Sequence, residues 1–207
     1  MCRHTLPSTT RRSLLAAVGS ATVVPVAGCL GRNLAESGDS TAEGSGSEDD
    51  RPDFPDHPGD EPRAPPEERV CDGPCGMRPS GFPEWNAQLA HEDGQGAFFD
   101  TPGCLLAYRN DPTFYDGPAA AIGNAWVRDF DSGELIDATT AFFVLDYDKE
   151  RLEEPMAHNP KPFRGRADAV AYVDAYDDLE EGDIVGIDGF GDAQAHRYRD
   201  YPIPDDG

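Results

Sequence analysis

Phe99-Asp100-Thr101-Pro102-Gly103-Cys104-Leu105-Leu106-Ala107-Tyr108 is the stretch on which the fold turns, because it recurs. Shifted by 64 residues it falls on residues 163–172, with Phe99 on Phe163, Leu106 on Val170, Ala107 on Ala171 and Tyr108 on Tyr172. A repeated pattern at a fixed offset marks a duplicated structural unit. Thr101-Pro102 reads as N-cap and first helical residue, with Leu105, Leu106 and Tyr108 as an apolar face. Before it, residues 85–89 alternate toward a strand, residues 92–96 form a turn, and Ala97-Phe98-Phe99 returns as the partner strand. After it, residues 121–130 and 139–145 read as strands around an Asp131-Ser132-Gly133 turn. A loop with Pro155, Pro160 and Pro162 follows, then a helix over 167–176 and a last strand over 183–187. Both halves read strand, strand ending in Phe, helix ending Ala-Tyr, strand. The expectation is an α+β protein of two tandem ββαβ units in one compact domain over 70–188, with a partly ordered tail over 189–207.

Toward the N-terminus the character changes. Arg3, Arg11 and Arg12 precede an apolar run over residues 14–28, and no acid occurs before Glu36. A positive start, a short apolar segment and small residues make a secretory signal, and this run is shorter than the ~20 residues a spanning helix needs. Arg11-Arg12 before Leu14-Leu15 resembles a twin-arginine signal. Val26-Ala27-Gly28-Cys29 resembles a lipobox, which makes Cys29 the lipid attachment site of a mature chain held on the extracytoplasmic face of the cell membrane. Residues 1–28 are thus expected to be removed.

Residues 29–69 read as a disordered acidic linker rich in Gly, Ser and Pro. Residues 30–69 hold twelve acids and six prolines, with Phe54 as the sole aromatic, too little apolar surface to offset the entropy of ordering. Three of the 17 basic residues and none of the 40 acids lie in the signal, so the mature chain carries a formal charge of −26. Lys149 and Lys161 are its only lysines. Such an acid excess suits a salt-adapted protein, whose self-repulsion is screened when the Debye length falls to ~3 Å at 1 M salt. It excludes a nucleic-acid partner, which would need clustered Lys and Arg. No HExxH, P-loop, GxGxxG or Ser/His/Asp pattern occurs, and no enzyme is expected.

The densest chemistry is Cys71-Asp72-Gly73-Pro74-Cys75-Gly76-Met77. Once Cys2 leaves and Cys29 is lipidated, Cys71, Cys75 and Cys104 remain, an odd number that closes no disulfide framework. The two methionines after Met1 are Met77, two residues from a cysteine, and Met156, two residues from His158. Both sit in Pro/Gly loops, where a core methionine has little to pack against. Thiolate with thioether is the donor set that selects Cu(I) over harder metals. Two other readings compete: a thiol–disulfide protein using Cys71 and Cys75, and a structural surface lipoprotein that binds no metal.

Cys75-Gly76-Met77 followed by Phe82-Pro83-Glu84-Trp85-Asn86-Ala87-Gln88-Leu89 resembles the opening of the NosL family, the copper-binding lipoproteins of nitrous oxide reductase maturation. Phe98-Phe99-Asp100 before a helix, Trp126-Val127-Arg128-Asp129, Ile136-Asp137-Ala138, Pro155-Met156 and Pro162-Phe163 extend the resemblance over about residues 71–176. It implies a pair of ββαβ units binding one Cu(I), and a metallochaperone that serves apo nitrous oxide reductase together with a membrane transporter complex. By that resemblance Cys75 and Met77 are ligands, with Met156 the next and His158 its alternative. Cys71, four residues before Cys75 where members often have three, and Cys104, inside a helix, do not carry over. His91 and His196 are expected to be solvated, and Asp100 to be an acid at a helix start.

Overall fold

The computed structural model describes residues 53–200 and Pro202; the signal, Cys29 and residues 30–52 of the linker lie outside the described residues. The first unit runs β1 (Ala87–His91), β2 (Gly96–Phe99), α1 (Pro102–Asn110), β3 (Ile122–Arg128), and a short β4 (Leu135–Asp137) follows it. The second runs β5 (Phe142–Val144), β6 (Lys161–Phe163), α2 (Arg166–Val173), β7 (Ile184–Val185), and a last helix α3 (Asp192–Arg199) ends the fold. The first sheet has the order β2-β1-β3-β4 and the second β6-β5-β7. In each unit the first strand lies between the second and third, all antiparallel, so the two halves share one topology. Even the register corresponds: Phe99 stands opposite Ala87, and Phe163 opposite Phe142. The tandem ββαβ architecture is therefore present, with β4 as an addition. Pro162 lies within β6, which its missing N–H permits because β6 is an edge strand.

The halves differ in one connection. Residues 92–95 join β1 to β2, whereas residues 145–160 join β5 to β6. That longer loop carries Met156 and His158. It is closed from inside by Lys161, whose Nζ lies 2.6 Å from Glu154 Oε1 and 2.8 Å from the Asn159 carbonyl.

β1 is buried along its whole length instead of alternating with solvent. One row, Leu89 with Ala97 and Ala125, faces the core of Phe99, Leu105, Leu106, Tyr108 and Val127. The opposite row, Gln88 with Phe98 and Trp126, is covered by residues assigned to the linker from composition. His57 stacks on Trp126 with ring centroids 5.2 Å apart. Gln88 takes the Arg63 N–H at 2.8 Å and donates to the Arg63 carbonyl at 2.8 Å. The Gly96 N–H reaches the Pro55 carbonyl and the His57 N–H reaches the Gly94 carbonyl. Residues 53–63 are thus a packed strap. Composition misses it because hydrogen bonds and the ring contacts of Phe54 and His57 hold it, not a run of apolar residues. A Cβ on Gly96 would stand 2.8 Å from the His57 Cβ, so only glycine admits the strap this close.

The tail also departs from expectation. α3 packs its buried Ala195 against Ala107 of α1, and its Tyr198 enters the main core. This explains why α1 is buried from Pro102 through Tyr108: sheet on one side, α3 on the other. Small facing residues let the two helices approach, a tertiary pairing that the mean polarity of 192–199 conceals.

Candidate metal centre

Two segments, residues 71–77 and 100–104, converge at the start of α1. Thr101 caps the helix, its hydroxyl accepting from the Cys104 N–H at 3.4 Å, which orients Cys104 in the first turn. Asp100 precedes the cap and is fully buried. The loop 71–77 is fastened over them. The Cys71 N–H donates to the Met77 carbonyl at 2.7 Å, and Asp72 pairs with β2 by donating to the Phe98 carbonyl at 3.0 Å and accepting the Phe98 N–H at 2.8 Å. Arg69 holds the Asp72 carboxylate from outside. A Cβ on Gly73 would come within 3.0 Å of the Cys104 carbonyl, so the loop lies against the helix.

The result is a cluster of Cys71, Cys75, Asp100 and Cys104, one ligand atom from each lying within 4.8 Å of all the others. All three cysteines are free thiols. Cys71 and Cys104 are buried and Cys75 is half-buried, the most exposed residue of the three. The Cys75 thiol donates to Asp100 Oδ1 at 2.8 Å, while Asp100 Oδ2 is buried with no hydrogen-bond partner. A buried carboxylate with one oxygen unpartnered, clustered with three thiols, is the arrangement a metal ion would complete.

The protonation pattern suits soft-metal capture. Burial pushes the Cys71 thiol well up, and its bonds to Cys104 and Cys75 add to this. The bond with Cys104, more than burial, raises Cys75. Burial also opposes ionisation of Cys104, yet it is pulled well below the ordinary thiol range by hydrogen bonds from Cys71 and Cys75 and by the Arg199 guanidinium. Its place in the first turn of α1 acts in the same sense. Asp100 is raised to about 6, first by burial and then by the negative charge on Cys104. Cys104 is thus the easiest of the three thiols to ionise, and a metal would displace the protons that remain.

Of the four sulfur and nitrogen ligands expected from sequence, Cys75 is in the cluster. Met77 is half-buried at the far end of the loop hydrogen bond from Cys71. Met156 is 38% exposed, on the long loop. His158 lies outside the cluster, buried beneath α3, where its Nε2 donates to the Arg197 carbonyl at 3.1 Å and its ring lies tilted against Tyr198 with centroids 5.0 Å apart. Its Nδ1 is buried and unpartnered, the lone pair that such a tautomer leaves free. Met156 and Ala157 both take positive φ, 59° and 67°, and the His158 N–H closes a tight turn on the Met156 carbonyl. Strain of this kind costs of order 1–3 kcal/mol per residue and collects at functional loops.

Cys71 and Cys104, which the resemblance does not carry over, are therefore centre residues, and Asp100 is a cluster member as well as a helix-start acid. Spacing could not find them because β2 and the α1 cap bring 71–75 to 100–104. A sequence signal existed in the odd cysteine count. His91, expected in solvent, is buried and hydrogen-bonded to the Tyr108 hydroxyl at 2.9 Å; His196 is exposed.

Fold and cluster together define a small α+β domain of two antiparallel ββαβ units bearing a buried thiol-rich centre suited to a soft metal. The chain belongs to the NosL family, whose sequence model matches residues 62–188. Among solved structures it is similar to the copper chaperone NosL from Shewanella denitrificans, at 18% identity and a TM-score of 0.49, over 64% of this chain and 97% of that one. No curated protein matches the chain. Among the described residues no helix is long and apolar enough to cross a membrane.

Proposed function

We propose that this protein is a Cu(I)-binding metallochaperone, not an enzyme, and that it holds the ion at the thiol cluster. The observation that carries the reading is the meeting of Cys71, Cys75, Cys104 and the Asp100 carboxylate at one largely buried point. Thiolates favour Cu(I), and two or three sulfurs satisfy its low coordination number. NosL membership agrees with this. Cys75, half-buried at the rim, is the sulfur through which an acceptor would begin to take the ion. Met77 and the Met156–His158 loop are the proposed outer ligands. Delivery to apo nitrous oxide reductase, together with a membrane transporter complex and from a lipid anchor at Cys29 outside the cytoplasmic membrane, completes the proposal.

Asp100 favours a second metal, since three thiolates and one carboxylate oxygen make a tetrahedral zinc set. One competition experiment separates the two. The full chain, purified in detergent under reducing conditions, is titrated with Cu(I) against a chromogenic chelator, with and without Zn²⁺. One Cu(I) per chain is expected, not displaced by zinc. Cys75→Ala, Cys71→Ala and Cys104→Ala should each weaken binding, while Met77→Ala, Met156→Ala and His158→Ala report the outer ligands. Wild-type affinity in Cys75→Ala would remove the site. Copper content of the reductase in a Cys75→Ala strain at limiting copper tests delivery.

A further inference from the structure

We infer that α3 is part of the metal site, with Arg199 as the buried counter-charge of the loaded cluster and a determinant of how tightly it holds Cu(I). The inference rests on the reading of that cluster as the copper site. Arg199 is 6% exposed at the C-terminal end of α3, beyond the residue at which the family match ends. Its Nε lies 3.1 Å from the Cys104 Sγ. Nη1 donates to the His158 carbonyl at 3.1 Å and the Tyr198 carbonyl at 2.6 Å; Nη2 donates to the Thr101 hydroxyl at 2.7 Å and to Asn159 Oδ1. All five N–H groups are thereby used.

The acceptors are informative. Four are neutral oxygens, and among the described residues no carboxylate lies within ion-pair distance of this guanidinium. In a chain of 40 acids and 17 basic residues, a buried arginine without an acid is not for want of acids. A buried charge needs an opposite charge close by. The sulfur of Cys104 is the one acceptor of Arg199 able to carry it.

The helix is shaped for this contact. Gly103 lies in the first turn of α1, and a Cβ there would stand 2.5 Å from Arg199 Nη2 and 2.8 Å from Cζ. The plate of the guanidinium therefore rests on bare backbone. The charges also balance in the right direction. Cu(I) held by two thiolates leaves a net charge of −1, and by three −2, which Arg199 reduces by one. The same guanidinium touches the Thr101 cap, the Asn159 side chain and the His158 carbonyl, tying the cluster to the loop that bears Met156. Undocking of α3 would remove the counter-charge and free that loop in one motion, a route to release on contact with an acceptor.

The test measures Cu(I) affinity and dissociation rate of the full chain for Arg199→Met, Arg199→Lys and Gly103→Ala, with thermal unfolding of the metal-free protein as the control for fold. Arg199→Met should bind Cu(I) about ten-fold more weakly or worse, since it strips the partner from a buried charge. Arg199→Lys should recover part of the loss, because it keeps the charge without the fork. Gly103→Ala, which favours the helix but unseats the guanidinium, should weaken binding with every ligand still in place. If Arg199→Met does not fold, Gly103→Ala decides. Wild-type affinity in Gly103→Ala, or equal losses in Arg199→Met and Arg199→Lys, overturns the inference. Should Cys75→Ala abolish binding while the Arg199 variants do not weaken it, the counter-charge fails and the copper site stands; if Cys75→Ala binds normally, the site itself fails.

Discussion

Replacing Lys161 with Met tests whether the Met156–His158 loop is held by a buried ion pair. Lys161 and Glu154 have side-chain exposures of 1% and 0%, and their charged atoms are 2.6 Å apart. Lys161 also donates to the Asn159 carbonyl, and the Asn159 amide donates to Glu154 Oε2 at 3.2 Å. Lys161→Met keeps the length of the side chain but takes the counter-ion from a carboxyl that stays buried, with the Asn159 amide as its remaining partner. Removing one partner of a buried pair costs about 3–5 kcal/mol, a large share of the ~5–15 kcal/mol of a typical domain. At roughly 2–4 °C per kcal/mol for a domain of this size, the midpoint should fall by about 10 °C. Calorimetry of the full chain in high salt, where surface charge is screened, gives the number. The double variant Glu154→Gln with Lys161→Met should lose less than Lys161→Met alone, because no charge is then stranded. A Lys161→Met midpoint equal to wild type, or a double variant worse than the single, would refute the account.

Three further expectations concern other parts of the chain. His57 takes the Gly59 N–H on Nδ1 at 3.1 Å and donates from Nε2 to Gln88 Oε1 at 2.9 Å, so the folded state has room for the neutral ring only. Burial accordingly lowers its pKa, and the strap should lose stability as pH falls below the unfolded value of about 6.5; unfolding between pH 7.5 and 5 should show a slope that His57→Gln flattens, and an unchanged slope would count against it. Oxidised glutathione should crosslink two of the three clustered thiols in the metal-free chain and abolish Cu(I) binding, whereas bound Cu(I) should protect them; equal thiol loss with and without copper would contradict the site. At the N-terminus, Cys29→Ser should release the protein from the membrane fraction and Arg11-Arg12→Lys-Lys should block export; normal anchoring or export would overturn the corresponding assignment.

The duplication was readable because it is written locally. Phe99 and Phe163 close their strands at the same ladder position, and each helix follows its strand within three residues, so one motif at one offset encodes both units. The strap over residues 53–63 was not readable. It is held by Gly94, Gly96, Gln88 and Trp126, about 25 to 70 residues away, and its own composition is that of a linker.

The same division separates the halves of the centre. Cys75 beside Met77 announced a soft-metal loop by itself, since both donors sit on one short segment and their chemistry does not depend on what surrounds them. The linear chain also determined the acid excess, the lack of a hydrolase or nucleotide motif, and the class of the fold. Only the tertiary structure decided that Cys71, Asp100 and Cys104 join Cys75, and that Arg199 from α3 reaches Cys104, 95 positions away in the chain. A ligand cluster depends on where side chains end in space. Here that is set by the pairing of Asp72 with Phe98 and by the packing of α3 on α1, long-range contacts whose free energy comes from burial and is invisible to spacing.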